Sequence, residues 1–310
     1  MRVGLSWDLD ATRPAAEAWK ALLNDVRTAD GVGLDSAWVT ERRDAPSGCP
    51  SPAHLLTFAA RRTKTLQLRT AGRRVTSGNT VRLAEETAVL DLFSRGRAGV
   101  AFAPASEQGI EPDHLHEAID MVLTAWTIPE FRYRGDHLRF PTHTAEDAPK
   151  GATVPEKTGA YVPQWERGPA MPDYLAITPK PFSSRPPVYV DIKEEETLAW
   201  AAQNGISPFV DADTPLDTVV ERLRRYRDAA SEAGRPRWAT EAVVERRLAF
   251  EESDDQEVLA GSPADLIEGL RALGRDAGVQ HLVWRRGPTH VGRSDELFRF
   301  AGEVQPLLQA

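Results

Sequence analysis

The sequence predicts an α/β protein built as one closed (β/α)8 TIM barrel, with a long insertion between its fourth and fifth strands. Three observations carry this reading. Short apolar runs alternate with longer amphipathic segments from Arg2 to Leu308. Eight such pairs are present; strands separated by helices run parallel, and eight parallel strands close without leaving an edge. A length of 310 residues suits one such domain spanning 1–310. An open doubly wound sheet is the alternative. Its Gly-rich phosphate turn is missing, because the first strand runs into Ser6–Trp7–Asp8.

Arg2 to Trp7 reads as the first strand. Ala15 to Ala29, apolar at every third or fourth position, reads as the first helix. Ser36 to Thr40 is the second strand, followed by a Pro-, Ser- and Gly-containing loop and a helix over Ala53 to Arg62. The third pair is Thr65 to Thr70 and Val81 to Phe93, and Gly96 between Arg95 and Arg97 marks the helix stop. The fourth is Ala98 to Ala103 with Asp113 to Thr127. From Ile128 to Pro187 the rhythm breaks into a Pro-rich stretch, with one strand pair expected at Phe131–Tyr133 and His137–Phe140 around Gly135–Asp136. This segment lacks the periodicity for its own core, so it reads as an insertion and a lid over the barrel mouth, not a second domain.

The alternation resumes with strands at Val188 to Ile192, Ser207 to Val210, Thr240 to Glu245 and Gln280 to Trp284. Their helices are Glu195 to Asn204, Leu216 to Ala233, Pro263 to Ala277 and Asp295 to Leu308.

An apolar fraction of 41% beside 27% charged residues is that of a globular protein. The net charge of −8 argues against a general nucleic-acid or anionic-membrane surface. Cys49 is the only cysteine, which excludes an intrachain disulfide and a thiolate zinc site. His114 and His116 are two apart and cannot share a helix face, so no metal is expected. The opening residues enter a strand with no signal-peptide pattern, and no window nears 18 uninterrupted apolar residues. A cytoplasmic protein without a membrane span is expected.

Four stretches together carry a family likeness. They are Gly33–Leu34–Asp35–Ser36–Ala37–Trp38–Val39–Thr40–Glu41–Arg42; Val81 to Glu86 with Leu90 to Arg97; Ala260–Gly261–Ser262–Pro263; and Phe300 to Leu307. In this order and spacing the chain resembles the bacterial-luciferase-like flavin-dependent monooxygenases. It is most similar to the branch tied to peptide and polyketide natural-product biosynthesis, on Thr40 to Asp44 and Gly48 to Ala53. The resemblance implies reduced FMN supplied by a separate flavin reductase, with a deazaflavin as the alternative, and O2 and an organic small molecule as substrates. It also implies a homodimer, or a heterodimer with a homologue, through the helices after the second and third strands. Those helices carry Leu55, Leu56, Phe58, Leu83, Val89 and Leu90.

In a barrel of this type chemistry sits at the C-terminal strand ends. Glu41 and Arg42 are either an ion pair capping a strand or, as their matched positions imply, catalytic groups facing the flavin ring or substrate. Ala71 and Gly72 are either a tight turn or the small-residue slot under the ring, where the family carries a strained non-prolyl cis peptide. Arg73, with Arg74, and Lys193 are the cations expected to reach the cofactor phosphate. Trp7, Trp38 and Trp284 are candidate slot walls.

The chain also departs from the family pattern. Arg42 stands where many members have His and cannot act as a base. Gly78–Asn79–Thr80 replaces a His–His–Pro run. Asp191 to Thr197 brings three consecutive glutamates to the expected phosphate place. These departures keep a second reading open, a non-catalytic partner subunit of a luciferase-like heterodimer.

Overall fold

The structure, a computed structural model, describes residues 1–9, 13–42, 48–75, 80–141, 174, 176–235, 242–255 and 257–309. Eight parallel strands form the barrel: β1 (Arg2–Trp7), β2 (Ser36–Thr40), β3 (Gln67–Arg73), β4 (Ala98–Phe102), β7 (Val188–Asp191), β8 (Ser207–Val210), β9 (Val243–Ala249) and β11 (His281–Arg286). The ring closes where Phe209 and Val210 of β8 pair with Val243 and Val244 of β9. Two elements lie off the ring. A hairpin of β5 (Tyr133–Arg134) and β6 (Arg139–Phe140) stands in the expected place, and a short β10 (Val258–Ala260) extends the end of β9.

Outside the ring run α1 (Ala15–Gly31), α2 (Pro52–Ala60), α3 (Thr80–Ser94), the single turn α4 (Ala105–Gln108), α5 (Pro112–Thr127), α6 (Glu195–Asn204), α7 (Leu216–Glu232) and α8 (Pro263–Asp276). The last predicted helix is broken into α9 (Ser294–Arg299), a π-turn at Phe300–Val304 and α10 (Gln305–Gln309). β10, α4 and this break are absent from the periodicity reading, since each is too short to show a period.

Several motif residues have structural work. Arg97 donates to the carbonyls of Leu66, Ala60 and Ser94, tying the end of α3 to α2 and β3. Asp91 accepts from the backbone N–H of Ala98 and of Ser183. Ser262 opens α8 in a capping box with Asp265, and Pro263 occupies the first turn. Glu117 of α5 accepts from the backbone of Asp136, His137 and Leu138 at 2.6, 2.8 and 2.9 Å and so holds the β5–β6 turn. Most of the expected lid, residues 142–173 and 175, lies outside the described residues.

The period of two along each strand sorts the barrel interior into layers. Trp38, Ala71, Ala101, Tyr189, Phe209, Val243 and Val283 form one apolar layer across the ring. Trp38 is central, with Tyr189 and Phe209 ring centroids 5.1 and 5.6 Å away. Beneath it Ser36, Arg69 and His281 plug the N-terminal end. Two residues further along, the same strands place Thr40, Ala103, Asp191, Asp211, Glu245 and Arg285 at the C-terminal end. That layer is the mouth.

Candidate active site

The mouth encloses a cavity of about 320 Å³, lined on one side by Trp7, Ala71, Gly72, Phe102, Ala103, Pro104 and Phe209. Its other walls are charged, with seven carboxyl groups against three guanidinium groups. A larger cavity, about 1050 Å³, lies at the opposite end beside Asp35, Gln67 and Gln305, away from the strand ends where barrel chemistry sits.

The small-residue side is built by a bulge. The β3–β4 register shifts between Thr70 and Arg73, and Gly72 takes a φ of +58°. A Cβ there would stand 2.7 Å from Thr40 Cγ2, so glycine is the residue this approach allows. The Ala71–Gly72 bond is not cis as the family likeness implied; both cis bonds among the described residues precede prolines, at Pro141 and Pro179. The bulge also reverses the parity of the strand. Arg69 and Ala71 face inward, but Arg73 turns out, buried against Glu41 (3.4 Å) and Glu86 (3.1 Å). Its side chain is not at the mouth, and Arg74 takes the place expected of it.

Glu41 lines the mouth with its carboxylate buried, bound by Arg73 and by the backbone N–H of Arg74 at 3.4 Å. Arg42 reaches in a different direction, to Asp8 at 3.3 Å. Lys193 sits at the rim with its ammonium 3.4 Å from Glu107, and its backbone N–H donates to Asp191 Oδ1. Glu194 turns to Ser106, accepting from its backbone N–H at 3.0 Å and from its hydroxyl at 2.5 Å. Of the three tryptophans, Trp7 lines the cavity and Trp38 lies one layer below. Trp284 faces out against Phe250 and Phe300.

The charged wall holds residues that motif matching did not single out. Arg285 grips Asp8 with two bonds of 2.8 and 2.7 Å, and also approaches Asp213 (3.4 Å) and Glu245 (3.5 Å). Glu245 accepts a short bond from the Ser6 hydroxyl. Burial raises the Glu245 carboxyl above its ordinary range, opposed by Arg285 and Ser6. Asp213 goes the other way: burial opposes ionisation, but the bonds from Arg247 and Arg285 outweigh it and lower its pKa. Asp191 is 5% exposed; burial, then the nearby Asp211 and Glu107, hold its carboxyl well above the usual range. Counting in twos from the apolar layer leads to Asp191, Asp211, Glu245 and Arg285, a signal the sequence does carry.

A flavin-type ring would find a flat apolar wall in Ala71, Gly72, Ala103 and Pro104, which fits. A phosphate fits less well: Arg285 is committed to carboxylates, Arg74 bonds the Glu107 carbonyl, and Lys193 is held by Glu107. Among the described residues no group of three or more His, Cys, Asp or Glu side chains is arranged to hold a metal ion, and no helix is long and apolar enough to cross a membrane.

Comparison with known proteins agrees with this architecture. Monooxygenase RslO1 from Streptomyces bottropensis superposes with a TM-score of 0.77 at 20% identity, over 99% of each chain. The oxygenating constituent of 3,6-diketocamphane monooxygenase from Pseudomonas putida, solved with FMN, gives 0.75 at 16%, over 99% of this chain and 98% of that one. A coenzyme F420-dependent tetrahydromethanopterin reductase from Methanopyrus kandleri gives 0.70 at 16%, over 99% of each chain. At such identities the likeness is one of fold. No curated protein matches the sequence significantly. The model of the luciferase-like monooxygenases matches residues 1–297, nearly the whole barrel and its mouth. This chain belongs to the luciferase-like monooxygenase family.

Proposed function

We propose that the protein is a cytoplasmic, two-component monooxygenase that works with reduced FMN from a separate reductase, O2 and an organic small molecule of secondary metabolism. The observation that carries this reading is the mouth itself. A bulge-built wall of small residues faces a ring of carboxyl and guanidinium groups, with Glu41, Asp191 and Glu245 buried, at the catalytic end of the barrel. When bound, the cofactor would supply oxygen activation. Ala71 and Gly72 would lie under its ring. Glu41 and Arg42 would face the substrate, Glu41 held in place by Arg73 and Arg42 by Asp8. Lys193 and Arg74 are the cations nearest the rim for its phosphate, and both are drawn toward Glu107.

Anaerobic titration with FMNH2, and separately with a reduced deazaflavin, tests the reading. The expected result is saturable binding of FMNH2. Glu107→Gln, which releases Lys193, should tighten it by about tenfold, because a charge-assisted phosphate contact is worth about 1.5–3 kcal/mol. Binding of the deazaflavin alone would replace FMN with that cofactor.

A second reading has its own observation. The cations lining the mouth all have partners, and Glu194 turns its charge toward this rim. Binding of neither cofactor by the chain alone, with binding by a mixture with a homologue, would make it the non-catalytic partner of a heterodimer.

A further inference from the structure

Asp191 is the one mouth carboxylate that is both nearly fully buried and without an ion pair among the described residues. Its side chain points inward because Tyr189, two residues before it, belongs to the interior apolar layer. Oδ1 accepts the Lys193 backbone N–H at 2.9 Å, and Oδ2 has no hydrogen-bond partner among the described residues. Asp191 lines the cavity. Its neighbours compound the imbalance. Asp211, at the end of the adjoining strand, uses one oxygen for the Asp213 N–H and the Thr214 hydroxyl, and the other has no partner among the described residues. Glu107, which follows the neighbouring strand β4, also lines the mouth.

Two of the three mouth guanidinium groups, Arg285 and Arg42, are bound to Asp8 on the opposite wall, and the third, Arg74, bonds the Glu107 carbonyl. The floor between the two walls is apolar, formed by Phe209 and Ala71. A buried carboxyl with an open oxygen and no ion pair among the described residues, on which Asp211 and Glu107 outweigh the more weakly felt Arg222, is a costly arrangement that an incoming cation would relieve.

We infer that the mouth takes a substrate bearing a protonated amine, its ammonium on Asp191 Oδ2 and Asp211 and its apolar body over Phe209. The inference deepens the proposed function by naming the chemical class of the substrate, and it rests on the mouth being the reactive chamber. A primary ammonium carries three donors, enough for Asp191, Asp211 and one further acceptor such as Glu107. The same charge pattern disfavours a substrate that places a carboxylate against Asp191 and Asp211.

The test uses the full chain and three probes of one shape: benzylammonium, benzyl alcohol and benzoate, each titrated calorimetrically. Benzylammonium should bind at least about tenfold more tightly than the alcohol, and benzoate should bind least, since a charge-assisted hydrogen bond exceeds a neutral one. Asp191→Asn keeps the shape and removes the charge. It should abolish the preference of benzylammonium over the alcohol while leaving the alcohol's affinity unchanged. Circular dichroism melts should show this variant at least as stable as the wild type, which confirms that the loss is local. Equal affinity for ammonium and alcohol, an unchanged preference in Asp191→Asn, or no benzylammonium binding at millimolar concentration overturns the inference. The two readings fail separately. Ammonium binding with no binding of FMNH2 or reduced deazaflavin removes the proposed function and leaves this site. Cofactor binding with no ammonium preference removes the site alone.

Discussion

His281 shows how one residue in the barrel plug sets an acid limit on the fold. It is 2% exposed, with Nε2 2.9 Å from the Ser36 hydroxyl and 3.2 Å from Asp35, and its Nδ1 is buried without a partner among the described residues. Asp35 favours the imidazolium, but burial, with Arg2 and Arg69 nearby, outweighs it and pushes the pKa from 6.5 down to about 3. The native state therefore binds fewer protons than the unfolded chain between these values. The neutral ring's contribution is fully present above pH 6.5 and is lost as the pH falls toward 3. Roughly 3 kcal/mol should disappear by about pH 4.5, at 1.36 kcal/mol per pH unit. His281→Gln, which can still bond Ser36, should flatten this slope. Urea unfolding at several pH values reads it, and an unchanged slope in the variant would place the acid sensitivity elsewhere, for instance at Asp30 or Asp213, whose carboxyl pKa values are lowered in the fold.

At the scale of elements, the β3 bulge decides what the mouth contains. Strict alternation from Arg69 and Ala71 would have brought Arg73 inside; one extra residue sends it to Glu41 and Glu86 and brings Arg74 round to the rim. Gly72→Ala should destabilise the fold by about 1–3 kcal/mol, from left-handed backbone strain and the contact with Thr40. Gly31→Ala, where a Cβ meets nothing within 4 Å, serves as the control and should be neutral or stabilising. Thermal melts of the two variants compare them, and equal effects would mean that the bulge tolerates a side chain.

The same element shows what the sequence could and could not reveal. Strands such as Arg2–Trp7 and Ser207–Val210 and the helix Glu195–Asn204 were legible residue by residue, because burial on a parallel sheet writes a continuous apolar run and a helix writes its period. Glu41, Arg42, Ala71 and Gly72 were legible as strand ends that line the mouth. The outward turn of Arg73 was not, since a bulge leaves no periodic trace. Asp8, Asp213 and Glu245 were missed for another reason: their partners are far away in sequence, and only the pairing of β11 with β1 and β9 brings Asp8 and Glu245 to Arg285.

At the scale of the whole molecule, the question is what covers the apolar residues that the barrel leaves outside. The helices after the second and third strands were expected to hold a surplus for a partner chain. Most of that surplus is used internally: Leu55, Leu56, Leu83 and Leu90 are buried in the barrel's own core. What remains outside is Phe58 on α2, Leu92 and Phe93 on the last turn of α3, and Phe182 beside Gly96. α2 and α3 pack against each other, so these side chains belong to one flank of the barrel, and Phe58 already carries the Arg62 guanidinium 3.7 Å above its ring. Large aromatic groups left exposed in proximity are characteristic of an association surface. A symmetric dimer would bury the same patch on both copies, so one substitution acts twice. Phe93→Glu should weaken association by roughly 2 kcal/mol per copy if Phe93 is an anchor, while leaving the melting behaviour of the protomer nearly unchanged because the residue is exposed. Sedimentation velocity at micromolar concentration should show wild-type dimers and Phe93→Glu monomers. A wild-type monomer would instead point to a different chain as the occupant of this flank, and mixing with a homologue should then produce the heavier species.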